Sequence, residues 1–211
     1  MAELKGKNLP LGIKITFLSM KTRFKLVPSS ITGMSFLSQI ISYRSDVLPD
    51  YRTPDEIRDD LKLLKWTEDP FGGKLDVVKH VTFMKQAMIK DPGHSGDCDD
   101  FANYYVANLL KSGIVKSPSD VMFDFFYWYK DDSTKQNKIS GHAVCVFKYK
   151  DNWWWAGNWN RCQPMKIGPA LSDAKAEFEK YLGYKIHIHC SIFVDKVNDV
   201  GTVFYRGLKV R

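Results

Sequence analysis

The sequence has few cysteines, and their spacing excludes several classes of protein. Only four occur in 211 residues, at positions 98, 145, 162 and 190. None forms a Cys-x-x-Cys pair, so we predict neither a zinc knuckle nor a dense disulfide framework. We therefore expect reduced thiols in a cytoplasmic protein, with at least one thiol that is free to react.

Long apolar runs and basic runs are also missing. No stretch approaches the roughly 20 apolar residues that cross a bilayer, and the first residues carry no clear secretory signal. The net charge is +7, yet the lysines and arginines are scattered rather than gathered into a basic run. We expect no membrane partner and no specific nucleic-acid partner. A basic nucleic-acid binder, retained on heparin in a salt-dependent way, is an alternative.

The first clear helix signal lies at residues 53–56, whose sequence is TPDE. Thr as the N-cap, Pro at the first helical position and Glu three residues after the cap are typical of a helix start. Apolar residues then recur at helical spacing and predict a buried stripe that runs through Trp66. They are Ile57, Leu61 and Leu64.

Helical patterns precede strand patterns along most of the chain. The pattern predicts helices over residues 75–89, 98–112 and 172–181, strands over 121–129, 142–149, 152–158, 186–194 and 202–210, and a polar loop over 131–140. Helices followed by a largely antiparallel sheet indicate an α+β fold. We expect a lead-in segment over residues 1–50 and one domain over residues 51–211.

Cys98 stands where a thiol can become reactive. It follows a turn that contains two glycines, Gly93 and Gly96, and it begins an amphipathic helix. A free thiol has a pKa of about 8.5, and the dipole at a helix N-terminus stabilises the thiolate. The unsatisfied backbone N–H groups at the same helix start can also hold a developing oxyanion. We predict that Cys98 is a nucleophile.

His142 and Asn158 are the predicted partners of this thiol. His142 begins the strand predicted after the polar loop, and Asn158 ends the next strand. A hairpin through Lys150 and Asp151 brings these two strand ends together, so Asn158 can orient the imidazole through a hydrogen bond. The order of residues predicts a Cys98–His142–Asn158 triad.

These residues resemble the transglutaminase-like superfamily, most closely its bacterial and phage cysteine-peptidase members. The resemblance is carried by residues 96–102 (GDCDDFA), by residues 141–143 (GHA), by Trp154 four residues before Asn158, and by the helix start at residues 53–56. It covers roughly residues 50 to 160. The segment around Cys98 is its most specific part.

The resemblance implies an enzyme with a papain-like α+β core that acts without a cofactor. Cys98 would attack an amide, His142 would act as the base, and Asn158 would be the third member of the triad. The expected substrate is a peptide, a protein or another amide, and the expected reaction is hydrolysis or acyl transfer through a thioester. Most members carry Asp at the third place; Asn keeps the orienting hydrogen bond but gives up the charge that stabilises an imidazolium.

Less specific interpretations of these residues remain open alongside the catalytic one. The chain could be a weak or inactive binding or scaffold module that keeps the fold, with Cys98 as a structural thiol and Asn158 as a turn former. We predict no metal site: the acidic residues beside Cys98 suit the first turn of a helix. His187 and His189 alternate on one strand but have no evident third zinc ligand, so a polar sheet face is favoured.

We predict structural roles for the remaining cysteines and for the tryptophan cluster. Cys145, Cys162 and Cys190 are expected to be small core hydrophobes. The tryptophans are expected to form core and cleft wall; they are Trp153, Trp154, Trp155 and Trp159. The sequence predicts no oligomeric state.

Overall fold

A six-stranded antiparallel sheet organises the chain, with helices on both of its faces. The computed structural model describes residues 49–67, 81, 84, 85, 88, 96–130, 138–199, 201 and 203–210. The strands are β1 (Val121–Lys130), β2 (Lys138–Tyr149), β3 (Asn152–Ala156), β4 (Met165–Gly168), β5 (Ile188–Val197) and β6 (Val203–Val210). Their order across the sheet is β4-β3-β2-β1-β5-β6. The predicted α+β class is therefore confirmed.

One face of the sheet, called the α2 face here, is covered by the helices α1 (Pro54–Leu61) and α2 (Cys98–Lys111). Thr53 caps α1, because its side chain accepts a hydrogen bond from the Glu56 N–H. Apolar residues of both helices pack with residues of β2 that face the same way. Those β2 residues are Ala143, Cys145 and Phe147.

The opposite face, called the α3 face, is covered by α3 (Ala174–Leu182). Phe178 of α3 stacks on Phe126 of β1, with 4.8 Å between ring centroids. Because successive side chains of a strand point to opposite faces, the alternate residues Val144 and Val146 of β2 join this second cluster. The two clusters together bury both sides of the central strands.

Most predicted elements are present. The helix at Cys98 ends one residue before its predicted end, and Gly113 follows it with φ +66°, a left-handed conformation that suits glycine. The hairpin between β2 and β3 turns at Lys150 and Asp151, which both have positive φ. α3 and the two last strands also lie close to the predicted ranges.

Four details of the prediction were wrong. Trp66 does not continue the buried stripe, since it is 58% exposed. β2 begins at Lys138, inside the predicted loop, because pairing with β1 extends that far. Consequently His142 lies within the strand rather than at its start. Asn158 lies beyond β3, in a 3₁₀ turn over Asn158–Asn160, and the short strand β4 was not predicted.

Some predictions fall mainly outside the described residues. They are the lead-in over residues 1–50, the turn containing Gly93, the loop residues 131–137 and most of the helix over residues 75–89. Within that helix, the described residues 81, 84, 85 and 88 are helical. Among the helices that the structure describes, none is long and apolar enough to cross a membrane.

Candidate functional site

Cys98 is the first residue of α2 and the only one of the four cysteines that is not fully buried. The helix start is closed by a capping box in which the Asp100 carboxylate accepts the Asp97 N–H at 3.2 Å. Burial raises the pKa of the Cys162 and Cys190 thiols to about 12. It also raises the pKa of Cys145 well above the usual range. Cys98 is thus the only one of the four thiols that is both accessible and placed at a helix N-terminus.

Three carboxyl groups lie together at the start of α2, next to Cys98 in the sequence. Oxygen atoms of Asp97, Asp99 and Asp100 lie within 4.8 Å of one another. Burial, followed by contacts with Asp97, Asp100 and Cys98, raises the pKa of Asp99 well above its usual value. A higher pKa favours the protonated form of Asp99, which weakens the repulsion that a thiolate at Cys98 would meet. Asp99 and Asp100 lie in the first turn of α2, as predicted, whereas the capping box between Asp97 and Asp100 was not predicted.

Gly96 allows the chain to enter α2 beside these acids. Its φ is +154°, and a Cβ atom at this position would overlap the Asp100 carboxylate. The Gly96 carbonyl also accepts the Thr67 N–H at 2.9 Å, which ties the segment after α1 to the start of α2. The glycine before Asp97 in the GDCDDFA segment therefore has a steric cause in the structure.

His142 lies on the α3 face, not on the face that α2 covers. Its ring stacks on Trp159 at 3.6 Å between centroids and with 10° between planes, and it also contacts Phe126. The ring is 4% exposed, and burial lowers the pKa of His142 to about 3. The buried Nε2 atom has no hydrogen-bond partner among the described residues. His142 is therefore a neutral imidazole inside an aromatic cluster.

Asn158 lies just beyond the end of β3, in the 3₁₀ turn Asn158–Asn160. A side chain at Gly157 would lie 3.4 Å from His142 Nε2, and the other neighbour of Asn158, Trp159, carries the stack. Asn158 itself lines a pocket on the α2 face together with Phe101. Its Oδ1 atom is buried and, within the described part of the chain, has no partner. The structure thus places Asn158 beside both His142 and α2.

The structure brings some members of the predicted triad near one another, but it does not join all three. The segment that carries Asn158 contacts the His142 ring and also borders α2. No hydrogen bond joins His142 to Asn158 or to Cys98 within the described residues. In this arrangement the sheet separates the His142 ring from the thiol side of the molecule.

A pocket of about 370 Å³ opens beside α2. It is lined by Leu61, Lys62, Leu64, Trp66, Phe101, Asn158, Arg161 and Cys162. The lining combines apolar side chains with an exposed indole and two cations, which suits a peptide-like ligand better than a purely apolar one. Trp66 was not among the tryptophans predicted to form core and cleft wall. Of those four, Trp155 is buried in the core, and none lines this pocket.

A buried aspartate–histidine pair on the α3 face was not predicted from the sequence. His189 Nε2 and Asp124 Oδ2 lie 2.7 Å apart, with side-chain exposures of 1% and 0%. The predicted polar sheet face is therefore wrong for His189, since it is buried beneath α3 and contacts Phe178. A signal was present: Asp124 is an acid in the middle of the apolar strand β1, and a buried carboxylate needs a partner.

Comparison with known proteins adds no relative to this picture. No family model matches the chain, and no curated protein matches it.

Proposed function

We propose that this chain is a cysteine-dependent amide hydrolase or acyl transferase with a papain-like, transglutaminase-like core. The observation that carries the proposal is the position of Cys98: an accessible thiol at the first residue of a capped helix, while the other three thiols are buried. A thiolate at such a position is stabilised by the helix dipole. The order of α2, β2 and β3 along the chain also supports this core.

In the proposed reaction the Cys98 thiolate attacks the carbonyl carbon of an amide, and a C–S bond forms. Backbone N–H groups at the start of α2 hold the oxyanion. The C=O bond re-forms as the C–N bond breaks, and His142 gives the leaving amine the proton that it took from the Cys98 thiol. Water hydrolyses the thioester and restores the thiol, or an amine takes the acyl group instead.

His142 needs to move before it can serve as this base. Its ring lies on the α3 face, and burial holds its pKa at about 3, which is too low for a general base near neutral pH. A one-residue shift of strand register would turn the ring to the α2 face. Two buried atoms have capacity for the orienting bond of the triad: His142 Nε2 and Asn158 Oδ1 both lack a partner among the described residues, and a bond between them would satisfy both.

A second function is favoured by the same position of His142. If the ring stays in its aromatic cluster, the fold is a binding or scaffold module, and the pocket beside α2 takes a peptide without cleaving it. Asn158 in place of an acid agrees with this alternative, because it supplies no charge to an imidazolium.

Thiol reactivity tests the nucleophile directly. The rate of alkylation by iodoacetamide at pH 6 is measured for each cysteine by mass spectrometry, in the folded chain and in the chain unfolded by urea. The unfolded chain is the control, since all four thiols there have ordinary pKa values and full exposure. We expect Cys98 to react several-fold faster in the folded chain because of a lowered pKa. Slower reaction of Cys98 in the folded chain would leave the binding module as the better account.

A further inference from the structure

A second pocket, of about 340 Å³, lies on the α3 face. Its lining comprises Leu171, Ser172, Lys175, His189 and Lys209, so it lies over β5 and β6 beside the start of α3. It shares no lining residue with the pocket beside α2. The proposed amide chemistry at Cys98 does not use it.

Polar side chains form a row across the sheet next to this pocket. Asp124 of β1 pairs with Ser191 of β5, and Ser191 pairs with Lys209 of β6. Residues directly opposite each other in antiparallel strands project from the same face. His189, two residues before Ser191, projects from that face too, and its Nε2 atom is held by Asp124 Oδ2 at 2.7 Å. The row leads from the buried Asp124 to the exposed Lys209.

Three atoms near the buried end of this row have unused hydrogen-bonding capacity. They are Asp124 Oδ1, His189 Nδ1 and Ser191 Oγ, which are buried and have no partner in the described ranges. Buried polar atoms are nearly always satisfied by protein, by ordered water or by a ligand. Of these three residues, His189 lines the pocket. Its buried Nδ1 atom, which has no partner among the described residues, therefore points to a polar group that is seated there.

The charges around the pocket indicate the sign of that group. Lys209 forms no ion pair with any residue that the structure describes, and Lys175 lies 4.0 Å from Glu179. Asp173, which follows the lining residue Ser172 in the chain, accepts a hydrogen bond from the Ser172 hydroxyl. Asp124 is engaged by His189. The pocket mouth thus offers two ammonium groups, and Lys209 has no ion-pair partner in the part of the chain that the structure describes.

We propose that this pocket binds the oxyanion of a small molecule, a carboxylate or a phosphate group. Lys175 and Lys209 offset the negative charge, and His189 presents its Nδ1 atom to the ligand from the inner wall. The contact with Asp124 uses Nε2, so each ring nitrogen has a separate partner. The bond to Asp124 also fixes the orientation of the ring.

The test follows the imidazole nitrogen signals of the full chain by NMR during titration with inorganic phosphate and, in a second arm, with acetate. We expect a saturable shift of the His189 signals, and none of the His142 signals, in at least one arm. The arm that saturates at the lower concentration identifies the oxyanion. Lys209→Gln should weaken binding about fivefold through loss of one exposed charge contact. Lys116→Gln, which removes an exposed lysine distant in sequence from the pocket lining, is the matched control and should leave binding unchanged.

Two results would overturn the proposal. One is the absence of any saturable shift at His189 with either anion, which would make the Asp124–His189 pair a closed structural link. The other is equal binding by Lys209→Gln and Lys116→Gln, which would show that the anion binds elsewhere.

Discussion

On the α2 face the buried polar side chains are largely paired, whereas the α3 face holds several that are not. Tyr105 donates to the Cys162 carbonyl at 2.6 Å, and the hydroxyls of Tyr51 and Tyr104 lie 2.8 Å apart. On the α3 face, buried atoms of five sheet residues have no partner within the described part of the chain. These residues are Asp124, Trp128, His142, His189 and Ser191.

The two faces therefore differ in how their buried polar groups are satisfied. The α2 face is an apolar core in which the tyrosine hydroxyls are paired and in which, among the described residues, Asp97, Asn108 and Asn158 each keep one buried oxygen without a partner. It presents Cys98 at its edge. The α3 face carries unused polar capacity inside a shell of aromatic rings. Each unsatisfied buried polar group costs about 1–3 kcal/mol. A bound group or a rearrangement that supplies partners would therefore lower the free energy most on the α3 face.

The largest effect is expected from breaking the buried pair on the α3 face. Asp124→Ala leaves His189 buried without its partner, and loss of one member of a buried pair costs about 3–5 kcal/mol. Urea denaturation should show this loss in the free energy of unfolding. The control is Asp124→Leu combined with His189→Leu, which should be less destabilising than Asp124→Ala. Equal losses would mean that the two residues do not act as a pair.

Acid should destabilise the chain through His142. Burial lowers the pKa of its ring to about 3 in the folded chain, while the unfolded value is 6.5. The folded state thus binds the proton less readily, so this contribution is complete above pH 6.5 and is lost as the pH falls toward 3. Between pH 7 and pH 5 we expect a loss of about 2 kcal/mol that His142→Gln lacks. Denaturation curves at both pH values measure the difference. If His142 instead held a thiolate partner, its pKa would be raised and the slope would reverse.

Gly157→Ala tests the packing around His142. Its φ of −163° suits any residue, so a cost would come from contact alone: the new Cβ would lie 2.9 Å from Val144 Cγ1 and 3.4 Å from His142 Nε2. We expect a destabilisation of about 1–3 kcal/mol from overpacking, together with a shift of the His142 NMR signals. Unchanged signals would show that the ring does not lie against this segment.

The smallest effect is expected at the helix start on the α2 face. Thr53→Ala removes the cap of α1, which is worth about 1 kcal/mol. The chemical shifts of His142 and His189 should not change, because the sheet separates them from α1. Ser117→Ala, which removes a side chain that caps the 3₁₀ turn Pro118–Asp120, gives a comparable control. A shift of the histidine signals in Thr53→Ala alone would contradict the separation of the two faces.

The sequence predicts the local features of this fold better than it predicts strand register and contacts between distant residues. The start of α1 at Thr53 and the start of α2 at Cys98 follow from capping residues and apolar spacing, which act within a few residues. The face on which His142 lies could not be predicted, because a single residue of register decides it. The pairing of Asp124 with His189 joins residues 65 positions apart, and no local pattern specifies such a contact. The predicted triad itself stays a prediction.

The most direct test of the proposed function follows acyl transfer at Cys98. The chain is treated with 4-nitrophenyl acetate, and acetylated peptides are identified by mass spectrometry over time in the wild type, His142→Gln and Cys98→Ser. The account predicts an acetyl group on Cys98 that turns over in the wild type, persists longer in His142→Gln, and is absent from Cys98→Ser. Acetylation confined to lysines, with an unmodified Cys98, would contradict it.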